Sequence, residues 1–100
     1  MSSGAANSPD HLARRFGETL MILRRRADLS QEELGFLASL HRTEIGELER
    51  GVRLPRLDTI IKLSGALSVP PGDLLKGMAW TAGRARPGRF RLSEGWTPSP

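Results

Sequence analysis

Apolar residues in the first third of the chain recur three and four positions apart, at Leu12, Phe16, Leu20, Leu23 and Ala27. That spacing puts them on one face of an amphipathic helix. Ser8-Pro9 stands just upstream, a hydroxyl able to cap the first amides followed by a proline whose fixed φ suits the first helical position. Arg24, Arg25 and Arg26 close the segment, where cations meet the carbonyl end of the helix dipole. Ser30-Gln31-Glu32-Glu33 has the form of a capping box, so a second helix is expected to begin at Gln31. It must be short, because Ala38-Ser39-Leu40-His41 breaks the pattern before Ile45 and Leu48 resume it. Two short helices joined by about four residues pack at an angle rather than side by side.

Glu49-Arg50-Gly51 ends the third helix, with Gly51 free to take the left-handed conformation that helix ends favour. Residues 52–55 form a loop, and Leu57, Ile60, Ile61, Ser64 and Leu67 make the next helical stripe, with Asp58 in the first turn where negative charge is favoured. Pro70-Pro71-Gly72 breaks that helix. A last turn over residues 73–76 is expected to cover the core with Leu74 and Leu75. The pattern therefore predicts an all-α domain over residues 8–77. Residues 1–7, small and polar, are expected to be a disordered arm.

Beyond Gly77 no helical period remains, and residues 78–100 carry Arg84, Arg86, Arg89 and Arg91 among glycines, prolines, Phe90 and two tryptophans. So little apolar surface predicts a basic, flexible tail. Two further roles stay open for it: a phosphate-contacting arm, or a hook in which Phe90 and Trp80 engage a partner protein.

Composition narrows the function. One hundred residues support a single core and leave little room for an elaborate catalytic site. With no cysteine, disulfides, thiolate metal sites and cysteine nucleophiles are excluded, and His11 and His41 are too far apart in sequence to suggest a metal site, so no cofactor is expected. No nucleophile, base and orienting carboxylate occur at a recognisable spacing, and the chain is not expected to be an enzyme. No apolar run approaches the ~20 residues that span a bilayer, and a soluble, cytoplasmic location is expected. Net charge is +4, yet residues 31–50 carry −3, so attraction to a polyanion must come from the segments on either side.

The stretch LRRRADLSQEELGFLASLHRTEIGELERGVRLPRLDTIIKLSGALSVPPGDLLKG, residues 23–77, resembles the Cro and phage-repressor type of helix-turn-helix domain, the XRE family. Three motifs in register carry the likeness: LSQEEL, HRTEIGELERG and the proline-led helix ending in ALSV. Within that family the chain looks most like short stand-alone regulators such as the controller proteins of restriction systems. The resemblance implies a compact five-helix, lambda-repressor-like DNA-binding domain whose second and third helices form the reading unit. It implies a sequence-specific transcriptional regulator that binds double-stranded DNA as a homodimer, on two half-sites about one helical turn apart.

Carried over residue by residue, the resemblance sets Gln31 against a phosphate at a helix N-terminus, with capping or solvent as the plainer role. His41, Arg42 and Thr43 would enter the major groove first, Arg42 on guanine, the Thr43 methyl on thymine, and His41 on a base or phosphate unless it is only a helix cap. Glu47, one turn on, would accept from a cytosine amino group unless it and Glu44 are a solvated face. Arg50, Arg53 and Arg56 match the stretch that grips the DNA backbone. Arg24 and Glu49 match a partly buried ion pair of structural value. Asp28, Ser39 and Ser68 replace glycines at left-handed positions, and Gly46 stands inside the reading helix where a side chain is expected. Leu74, Leu75, Met78 and Trp80 are the candidate dimer contacts, with Leu74 also a candidate core residue. The competing function is an antitoxin or adaptor that uses the acidic third helix or the tail against another protein.

Overall fold

The computed structural model describes residues 8–95. Five helices follow one another as α1 (Pro9–Arg26), α2 (Gln31–Ala38), α3 (Arg42–Glu49), α4 (Leu57–Leu67) and α5 (Pro71–Leu74), and a hairpin of β1 (Met78–Thr81) and β2 (Arg89–Leu92) ends the described chain. The expected arm of residues 1–7, and residues 96–100 of the expected tail, lie outside the described residues.

The helix starts are made by the residues that signal them. Ser8 Oγ accepts from the Asp10 amide at 3.1 Å, with Pro9 as the first helical residue. In the capping box, Ser30 Oγ accepts from the Glu33 amide at 3.0 Å while the Ser30 amide donates to Glu33 Oε1 at 2.8 Å. These bonds favour the charged carboxylate and hold the Glu33 pKa below its ordinary value. The helices stop in left-handed turns at Asp28 (φ 58°), Ser39 (φ 55°) and Ser68 (φ 57°), the three positions where glycine would be at ease. A side chain costs about 1 kcal/mol at each.

Phe16, Leu20 and Leu23 of α1 meet Leu34 and Ala38 of α2, Ile45 and Leu48 of α3, Leu63 and Leu67 of α4, and Leu74 of α5 in one core. Two glycines make the packing close enough to fix α3. A Cβ on Gly17 would stand 2.4 Å from the Leu48 carbonyl oxygen, and one on Gly35 would stand 2.6 Å from that of Leu40. Hence α1 crosses the end of α3 with bare backbone, and the α2–α3 turn folds back onto α2.

Three expectations need correction. The α4 stripe is rotated: Thr59, Leu63, Ser64 and Leu67 are buried and Ile60 partly so, whereas Leu57 and Ile61 face outward at 76% and 52% exposure. With Leu, Ile and Ala on several sides of α4, the apolar pattern alone does not choose the face. Leu74 is fully buried core, which removes it from the dimer contacts, while Leu75 caps α5 from outside and does not cover the core.

Residues 78–95, expected to be without regular structure, form the hairpin instead. Its register pairs Met78 with Leu92 and Trp80 with Phe90, so these four share one face. Trp80 and Phe90 meet edge to face at 5.0 Å, and the indole lies so close over Gly88 that a Cβ there would fall 2.4 Å from it. The base is tied down by the Ser93 amide donating to the Gly77 carbonyl at 2.7 Å and by Arg15 Nη1 of α1 donating to the Ser93 carbonyl at 2.7 Å. Met78 packs against the helical core. The period-2 signal was only four residues long on each side and was joined through residues 82–88 rather than a two-residue turn, so it did not stand out.

Candidate nucleic-acid interface

The turn between α2 and α3 presents the start of α3 outward. His41 is the N-cap: its Nδ1 accepts from the Thr43 amide at 3.0 Å, so in the neutral ring Nε2 carries the proton and faces away from that bond. Arg42 and Thr43 are exposed in the first turn beside it. Gln31, Arg42, Thr43, Gly46 and Arg50 line one polar notch, and Glu32, Phe36, Leu40, His41 and Arg42 line a second. Arg42 therefore stands between two recesses at the leading end of α3.

Gly46 has a purpose that its sequence position alone did not disclose. A Cβ there would lie 3.2 Å from Arg50 Nη1 and 3.7 Å from Gln31 Oε1. The missing side chain makes room for the Arg50 guanidinium to fold back along α3 toward Gln31, bringing Arg50 into the notch.

Behind this face lies a buried polar cluster. Arg24 Nε and Nη2 donate to the two carboxylate oxygens of Glu49 at 2.6 and 3.0 Å, and Arg24 Nη1 donates to the Leu29 carbonyl at 2.8 Å. Gln31 Nε2 donates to Glu49 Oε1 at 3.0 Å. The bond to Glu49 is the main reason the Arg24 pKa is raised, with burial opposing it. The cluster ties the end of α1, the start of α2 and the end of α3 together. Gln31 thus has a structural partner as well as its place at the N-terminus of α2.

The acidic residues of α3 are answered within the protein. Arg53 lies 3.1 Å from Glu47 and 3.6 Å from Glu44, and Arg56 lies 3.2 Å from Asp58. Pairs this exposed are worth about 0–1 kcal/mol and can exchange for other partners. Arg14 was not singled out in the sequence; its Cα lies 2.9 Å from where a Cβ of Gly51 would stand, which sets α1 against the start of the arginine-bearing loop. The structure brings Gln31, Arg42, Thr43 and Arg50 together. It sets Arg53 against Glu47 and Glu44, and keeps Trp80 and Met78 on the hairpin, apart from the notch.

Two short helices set at an angle by a tight turn, the second presenting its N-terminal end, belong to the helix-turn-helix class. The family model described as "Helix-turn-helix" matches residues 20–74, and the chain belongs to that family. It is 48% identical over 61 residues to "Control protein C.BamHI" of Bacillus amyloliquefaciens, covering 60% of this chain and 75% of that one. The restriction-modification controller protein C.AhdI of Aeromonas hydrophila, a solved structure, matches with a TM-score of 0.61 and 44% identity over 62% of this chain and 94% of that one. The P22 c2 repressor in complex with a synthetic operator matches with a TM-score of 0.58 and 31% identity, over 62% and 94%. The chain is a sequence-specific DNA-binding transcriptional regulator with a repressor-like five-helix fold.

Proposed function

We propose that α3 enters the major groove by its N-terminal end and that the protein does so as a symmetric dimer on an inverted repeat. The observation that carries this reading is the exposure of Arg42 and Thr43 at the leading turn of α3, with the same helix clamped from behind by the buried Arg24–Glu49 pair. Arg42 has the fork geometry for guanine O6 and N7, the Thr43 methyl suits thymine, and the outward Nε2–H of His41 suits a base or phosphate acceptor. Gln31 and Arg50 flank them as phosphate contacts. Arg53 and Arg56 reach phosphates by leaving their carboxylates, which frees Glu47 to accept from a cytosine amino group and makes the face repel a badly matched site.

Pairing supplies the base contacts that one short domain lacks. Leu54, Leu57 and Ile61 are exposed at 48%, 76% and 52%, with Leu57 and Ile61 one turn apart on α4. They and Leu75 are the exposed apolar residues we assign to the dimer contact. Among the described residues no helix is long and apolar enough to cross a membrane, and a regulator of this kind works where the DNA is, in the cytoplasm at the nucleoid.

Selection of bound duplexes from a random pool tests the reading. An inverted repeat that is enriched by the protein and lost with Arg42→Ala/Thr43→Ala supports it. Equal retention of the same DNA by that variant overturns it. A second reading, a protein-interaction module of adaptor or antitoxin type, is favoured by Phe36, which is 84% exposed beside Leu37, Glu32 and Glu33 on α2. It predicts partner binding that survives Arg42→Ala and fails with Phe36→Ala.

A further inference from the structure

The family match ends at residue 74, and the hairpin lies beyond it. Residues 78–95 carry Arg84, Arg86, Arg89 and Arg91 against a single acid, Glu94. Strand alternation sorts these side chains. While Met78, Trp80, Phe90 and Leu92 share the apolar face, the opposite face pairs Ala79 with Arg91 and Thr81 with Arg89. Two guanidinium groups therefore stand beside small side chains, and the connecting segment adds Arg84 and Arg86. Among the described residues, none of these four arginines is held in an ion pair, unlike Arg24, Arg53 and Arg56.

This cationic face is held in place. The Trp80–Phe90 contact, the close approach at Gly88 and the Arg15–Ser93 bond fix the hairpin to itself and to α1. It also adjoins the reading unit through α1. Arg15 anchors the hairpin base, and its neighbour Arg14 packs against Gly51, where the loop bearing Arg53 and Arg56 begins. Basic residues thus stand on that loop, in the first half of α1 and on the hairpin, three segments linked by these two contacts. By contrast, residues 31–50 carry −3, so the reading unit itself contributes no net attraction to DNA.

We infer that the arginine face of the hairpin is a second DNA-binding surface that grips the sugar–phosphate backbone outside the base pairs read by α3. The inference rests on the DNA-reading assignment above. Guanidinium groups bind phosphate oxygens through paired, charge-assisted hydrogen bonds, and such contacts add affinity without sequence information. The pre-formed strand lowers the ordering cost that a loose arginine tail would carry on binding.

The test uses the full chain, the selected operator as a duplex trimmed to its core, and the same operator extended by about one helical turn at each end. Affinity is measured by fluorescence anisotropy as salt is raised. Replacing all four arginines by alanine should make the slope of log K against log[salt] shallower by about 0.9 for each phosphate the variant no longer neutralises. For two to four phosphates per protomer, the wild type then loses roughly 10- to 150-fold more affinity per protomer than the variant between 50 and 200 mM salt. The difference should appear on the extended duplex, vanish on the core duplex and leave the selected sequence unchanged. The matching four-lysine variant should keep the wild-type slope, and it decides the matter if the alanine variant unfolds the hairpin.

An unchanged slope on the extended duplex with the alanine variant folded, or a lysine variant that loses the slope, overturns the inference. Failure of the α3 assignment looks different: Arg42→Ala/Thr43→Ala would then keep the selected sequence, whatever the hairpin does.

Discussion

Glu49→Ala removes the centre of the buried cluster behind the reading helix. Arg24 then loses two charge-assisted hydrogen bonds, at 2.6 and 3.0 Å, and keeps only its bond to the Leu29 carbonyl. Gln31 loses its partner as well. Breaking a buried pair by removing one member costs about 3–5 kcal/mol, because the other charge stays behind without compensation. The Arg24 side chain keeps 11% of its exposure, against 1% for Glu49, so water relieves part of that cost and the lower end applies, about 3 kcal/mol. For a domain of this size that lowers Tm by roughly 12–24 °C.

Urea denaturation followed by helical circular dichroism measures the loss directly, and Arg24→Met, Glu49→Leu and the double variant Arg24→Met/Glu49→Leu make a cycle. Replacing both members by apolar residues removes the orphaned charge, so the double variant should recover at least about 2 kcal/mol relative to the sum of the single ones. A single variant that costs less than about 1 kcal/mol, or a double variant whose cost equals the sum of the two singles, refutes the account of the cluster.

Three more outcomes are expected. Ser39→Gly and Ser68→Gly relieve left-handed strain at positions with φ of 55° and 57° and should each stabilise by about 0.5–1 kcal/mol, read from the same urea curves. Gly46→Ala should gain up to about 1 kcal/mol of helix propensity yet weaken operator binding, since its Cβ would meet Arg50 Nη1 at 3.2 Å and push it from the notch; urea curves and anisotropy together report the opposed signs. Because the folded state depresses the Glu33 pKa, the capping box stabilises fully above the ordinary carboxylate value of 4.5 and is lost as pH falls through the lower folded value. The protection factors of the amides at the start of α2, with the intrinsic pH dependence of exchange divided out, should therefore fall on acidification, and those of a Glu33→Gln variant should not depend on pH in that range.

What the sequence made legible was mostly local. Ser8-Pro9, the Ser30–Glu33 box and Gly51 each act on backbone groups within a turn of themselves, so their residue types were enough to place the helix ends. The three left-handed positions and the Arg24–Glu49 pair came through family likeness, and the structure has both. The misreadings were tertiary. Which side of α4 is inward depends on what α2 and α5 offer, so Leu57 and Ile61 were set in the core when they face out. The pairing of Arg53 with Glu44 and Glu47 was not misread but went unseen, because it needs the loop to double back on α3, which charge order along the chain does not announce. The hairpin depends on two short strands finding each other across residues 82–88, and neither strand shows much by itself.

The crossing at Gly17 separates two jobs that a short helix must do at once. The rear of α3 bears on α1 through the Leu48 and Glu49 carbonyls, with Ile45 and Leu48 in the core, while Arg42 and Thr43 stand clear at its front. Bearing and cutting edge share a shaft but no residues. The front can therefore be exchanged for another set of side chains while the tilt of the helix stays as it is. If α3 reads DNA as proposed, a new operator is within reach of a few surface substitutions, whereas any side chain at Gly17 would re-aim the whole front of the helix together.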